Sequence, residues 1–118
     1  MLSKVIEIPK EIARVINNGD KIMLEDDYLV TLYYMFFNEK LYIVVIDNFV
    51  SMIFIAVKKL DPKLIDKLVD ITLDPKRRKE FEEKVKEFYY DLLEIDKPIN
   101  IAKFILNKIE KYYSEQGN

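Results

Sequence analysis

The sequence predicts an α+β fold: an antiparallel β-meander over about residues 21–57, preceded by a short helix and followed by three C-terminal helices. Three observations predict it. Apolar runs at 28–37, 41–46 and 49–57 are rich in Val, Ile, Tyr and Phe, and each has the length of a strand. Beyond residue 61 the apolar residues recur instead at spacings of three and four, as one face of a helix requires. The strands come as a block before the helices rather than alternating with them, which argues for an antiparallel sheet with helices to one side.

The N-terminal elements follow from local chemistry. Residues 4–8 suit a short strand, and Pro9 suits the first position of a helix. Ile12, Ala13, Val15 and Ile16 then give that helix an apolar stripe. Asn17-Asn18-Gly19-Asp20 ends it, with Gly19 expected in the left-handed conformation. A strand restarts at Lys21, and Glu25-Asp26-Asp27 turns it into the meander. Asn38-Glu39-Lys40 reads as a three-residue hairpin loop and Asp47-Asn48 as a two-residue one, because Asn and Asp tolerate positive φ.

The central strands lack alternation. Val30, Leu32, Tyr34 and Phe36 share one face of the first run, and Leu29, Tyr33, Met35 and Phe37 the other. In the last run Ile53, Ile55 and Val57 stand opposite Val50, Met52, Phe54 and Ala56. A sheet with one wet face would place a polar residue at every second position. Both faces are therefore expected to be covered, one by the chain's own helices and the other by a partner or a second copy. A membrane span competes for the same residues, but Asp47 and Asn48 interrupt it short of the roughly 20 apolar residues a helix needs. The N-terminus shows no signal-peptide pattern.

Asp61-Pro62-Lys63 and Asp74-Pro75-Lys76 each place an Asp N-cap before a Pro at the first helical position, and Asp96-Lys97-Pro98 is a looser version. The first helix buries Leu64, Ile65, Leu68 and Val69; the second Phe81, Val85, Phe88 and Leu92; the third Ile101, Ile105, Ile109 and Tyr112. The whole chain reads as a single domain, strand-rich to residue 60 and helical over 61–113, with a fraying tail at 114–118.

Composition excludes more chemistry than it suggests. With no His and no Cys, the chain can build no histidine-dependent triad, thiol nucleophile or ordinary zinc site. Its two glycines, Gly19 and Gly117, cannot make a phosphate-binding glycine loop. No catalytic residue, metal ligand or cofactor is therefore expected, and the acidic turn at Glu25-Asp26-Asp27 reads as solvated. A net charge of −2 exerts no overall pull toward nucleic acid, and the absence of Cys fits a cytoplasmic location. The wealth of Lys, Glu and Ile is thermophile-like, though an AT-rich genome would produce a similar excess of Lys and Ile.

Lys76-Arg77-Arg78-Lys79 is the densest positive run. It opposes the positive end of its own helix dipole, so helix stability does not explain it. With Lys10 and Arg14 it supplies the candidate contacts for a phosphate or an acidic partner. The candidates for a protein interface are Tyr33, Met35, Phe37, Met52, Phe54, Tyr90 and Tyr113, where aromatic or Met side chains are expected to face away from the core.

Ile8, Pro9, Lys10, Glu11 and Ile12, followed by a short helix and Gly19-Asp20-Lys21, resemble the AbrB/SpoVT swapped-hairpin domain over about residues 5–34. The resemblance implies a dimeric DNA-binding regulator, with Lys4, Lys10 and Arg14 standing in for the family's basic residues. The residues themselves point first to a protein-interaction module (an adaptor, inhibitor or accessory subunit) that is homodimeric or bound to another protein.

Overall fold

A computed structural model describes residues 9–24, 29–97 and 99–116. Helix α1 (Lys10–Asn18) is followed by strands β1 (Asp20–Met23), β2 (Val30–Phe37), β3 (Lys40–Asp47) and β4 (Met52–Lys59). Helices α2 (Pro62–Leu73), α3 (Pro75–Leu93) and α4 (Ile101–Glu115) complete the fold. The strands form one antiparallel sheet in the order β1-β2-β3-β4, so the architecture is α+β as the block order of the sequence requires. The expected strand at 4–8 and the turn at Glu25-Asp26-Asp27 lie outside the described residues.

Register sorts the side chains onto two faces. Ile22, Leu32, Val45 and Phe54 stand in one row across the sheet, and Tyr34, Ile43 and Ala56 in the next. These inner rows meet Leu68, Phe81, Val85, Ile105 and Ile109 from the three C-terminal helices in one core. Burying each such side chain contributes about 1.5–3 kcal/mol, so this layer dominates stability.

Several joints differ from the sequence expectation. Pro9 precedes α1 as its N-cap residue, one position earlier than expected. Gly19 is extended, at φ −82° and ψ 174°, rather than left-handed. Glycine is required there for room: a Cβ would lie 2.5 Å from the Val15 carbonyl oxygen and 2.6 Å from that of Tyr34. The β2–β3 hairpin has a two-residue loop, Asn38 at φ 51° and Glu39 at φ 61°, which is the type I′ signature; Lys40 already pairs with Phe37. The β3–β4 connection is longer than two residues. Its turn is held by the Phe49 N–H donating to Asp47 Oδ1 at 2.9 Å, so β4 starts only at Met52.

The helix starts at Asp61 and Asp74 are as the Asp-Pro pairs dictate. Asp61 accepts from the Lys63 N–H at 2.8 Å and Asp74 from the Lys76 N–H at 3.1 Å. Asp96 does not cap α4. Asn100 does, accepting from the Lys103 N–H at 3.1 Å, and Pro98 lies outside the described residues. Residues 114 and 115 remain helical, because Lys67 Nζ donates to the carbonyls of Tyr113 and Gln116 and holds the last turn.

Candidate interaction surface

The outer face of the sheet is where the missing alternation has its consequence. Its rows are Thr31–Ile46–Ile53, Tyr33–Val44–Ile55 and Met35–Tyr42–Val57. Helix α1 crosses this face and sets Ile12 and Val15 on Val44, with Ile16, Tyr33, Met35, Tyr42 and Ile46 partly buried around them. The chain therefore covers part of its second face itself, with its own first helix. A nine-residue helix is too short to stand alone, and its stripe needs an apolar bed.

That cover stops short of β4. Ile53, Ile55 and Val57 keep 38, 40 and 44% of their surface exposed. Between them and α1 runs an apolar groove of about 130 Å³ whose walls include Ile12, Val15, Tyr42, Val44, Ile55 and Val57. Glu11 stands at its rim with no ion pair among the described residues. Phe37 is half exposed on the same face, beneath the Arg14 guanidinium 5.5 Å from its ring centroid. Phe49 and Val50 extend the exposed apolar surface into the β3–β4 turn.

Among the described residues β4 is also an edge strand, and edges invite pairing. Here Asn100 Nδ2 donates to the Ile55 carbonyl at 3.0 Å, so the margin is partly occupied. The exposed face of β4, rather than its rim, is the open surface.

The structure disperses the sequence-derived interface candidates. Tyr33 and Met35 lie under α1, and Phe37 is exposed beside it. Phe54 faces the opposite way, against the helical core, and Tyr113 is buried there. Met52 is half exposed at the start of β4 on the inner side of the sheet. Tyr90 is half exposed, with its hydroxyl donating to the Leu24 carbonyl at 3.1 Å. Ile53, Ile55 and Val57 were absent from the candidates, although their period-two spacing marks them as one face.

The basic candidates also separate. Lys10 and Arg14 are exposed on α1, and Lys76, Arg77 and Lys79 are exposed on α3. Arg78 is engaged: its Nη2 donates to Asp20 at 2.7 Å and its Nε to Glu82 at 3.2 Å, joining α3 to β1. Among the described residues no group of three acidic side chains could hold a metal ion, and no helix is long and apolar enough to cross a membrane. No family model, curated protein or solved structure matches the chain.

Proposed function

We propose that this protein is a non-catalytic association module that docks a second copy of itself on the outer face of β4. The observation that carries this reading is the half-exposed set Ile53, Ile55 and Val57 beside the α1 groove, on a face that α1 covers only in part. Exposed apolar area of this kind gains free energy when covered, at about 25 cal/mol per Å². Ridge and groove lie side by side, so a two-fold axis through the patch can seat the ridge of each copy in the groove of the other. An adaptor, inhibitor or accessory subunit would use the dimer as its working unit. Sedimentation velocity over a range of concentrations tests it, with a dimer expected for the native chain and a monomer for Ile55→Lys at an unchanged melting temperature. A native chain that stays monomeric throughout removes the proposal.

A second reading is a DNA-binding regulator of the AbrB-like type. It is favoured by the chain order of α1, Gly19 and the β1–β2 pair, with Lys10 and Arg14 exposed on α1. It requires salt-sensitive duplex binding that weakens in Lys10→Ala and Arg14→Ala. Absence of any mobility shift at low salt ends it.

A further inference from the structure

The association surface leaves the basic run of α3 without a use, and the structure gives one of its members a distinct setting. Arg77 lines an open cleft of about 370 Å³ bounded by α2, α3 and α4, on the helical side of the sheet and away from the β4 face. That volume lies within the range of small-molecule sites, about 300–1,000 Å³. Ile71, Phe81 and Tyr113 form its buried apolar part. Three cations line it, Lys67 from α2 and Arg77 and Lys84 from α3, against one carboxylate, Glu80.

The cations are not equally committed. Lys67 Nζ donates to the carbonyls of Tyr113 and Gln116 at 3.0 and 2.9 Å, which leaves one of its three hydrogens. Lys84 is paired with Glu87 at 2.8 Å and stands 4.8 Å from the centroid of the Tyr112 ring. Arg77 has neither an ion pair nor a hydrogen bond among the described residues. Burial, with Tyr112 and two glutamates nearby, pushes the Tyr113 phenol up to about 12, so it stays neutral beside any anion. A guanidinium with no partner for its five donors among the described residues, in a cleft that also has an apolar part, has the fork geometry that binds phosphate through two parallel hydrogen bonds. A bound anion would also offset the unfavourable placement of positive charge in the first turn of α3.

We propose that this cleft binds a small phosphorylated organic molecule. Arg77 holds the phosphate, Lys67 contributes its remaining hydrogen, and Ile71 and the Tyr112 ring receive the carbon skeleton. The test is thermal unfolding read by tyrosine fluorescence, since the chain has eight Tyr and no Trp. Phenyl phosphate, inorganic phosphate and chloride are compared at matched ionic strength. Phenyl phosphate is expected to raise the melting temperature most, inorganic phosphate less, and chloride not at all. Arg77→Gln should weaken phenyl phosphate at least about tenfold, as loss of charge-assisted hydrogen bonds does. Glu80→Gln should tighten it, and Lys76→Gln, one residue outside the cleft, should leave it unchanged. All three positions are exposed on the helix, so the variants keep the fold. Equal stabilisation by phosphate and chloride, or equal losses in Lys76→Gln and Arg77→Gln, overturns the site. Inorganic phosphate binding as tightly as phenyl phosphate overturns the organic ligand.

Discussion

Tyr34 on β2 donates its phenolic hydrogen to Glu82 Oε2 on α3 at 3.1 Å, and Arg78 Nε donates to the same oxygen at 3.2 Å. Arg78 also reaches Asp20 at the start of β1, so one carboxylate ties the sheet to the longest helix. The Tyr34 ring is buried against Phe81 in an edge-on contact, which fixes where its hydroxyl points. Tyr34→Phe should cost about 1 kcal/mol in urea unfolding, the net value of one such hydrogen bond. In a Glu82→Gln background the same change should cost a different amount, because the two share the bond. Equal costs in both backgrounds would show that the pair is uncoupled.

Alkaline pH should unfold the protein through its buried phenols. Burial raises Tyr113 from its ordinary 10.0 to about 12, and burial followed by Asp20 and Glu82 raises Tyr34 further. Below the unfolded value both states carry the phenolic protons, so stability does not depend on these groups. As pH rises from about 10 to about 12 the unfolded chain loses protons that the folded chain keeps, and stability falls through that window. A phenolate absorbance titration should show at least two tyrosines ionising late, together with loss of helical circular dichroism. Uniform titration of all the tyrosines near their ordinary value would contradict this.

Gly19→Ala should destabilise although its φ of −82° suits any residue. The added methyl would meet two backbone carbonyls at 2.5 and 2.6 Å, so α1 must move off the sheet. Overpacking of this kind costs about 1–3 kcal/mol. Chemical denaturation of the variant measures it. An unchanged midpoint would mean that α1 is not seated as described.

Asp61→Ala and Asp74→Ala should each lose about 1 kcal/mol, the usual value of an N-cap. Asp96→Ala should lose nothing comparable, because Asn100 caps α4. Thermal melts of the three variants decide this, and a similar loss at Asp96 would contradict the assignment of the cap.

The block order of strands and helices was legible because strand-length apolar runs and helical spacings differ in period. The Asp-Pro helix starts were legible because cap and φ restriction coincide in two adjacent residues. The facing of β4 was not. Ile53, Ile55 and Val57 and their alternates Met52, Phe54 and Ala56 are both apolar sets, so hydropathy cannot choose between them. The choice depends on the register carried from β2 through β3, and the two-residue Asn38-Glu39 loop, one residue shorter than the sequence predicts, reverses it. The role of α1 was hidden for a related reason: its stripe shows that it needs a bed, and not which face of the sheet provides one. Arg77 and Arg78 are neighbours of identical chemistry, yet Arg78 is tied to Asp20 while Arg77 has no partner among the described residues, since adjacent helical residues point about 100° apart.

Asn100 serves two elements at once, receiving the Lys103 N–H into the first turn of α4 and giving its own hydrogen to Ile55. A growing ribbon of subunits joined strand to strand would have to displace that amide from the Ile55 carbonyl. The proposed self-recognition across the flat of β4 would carry no such penalty. The side chain thus obstructs open-ended strand addition at this margin.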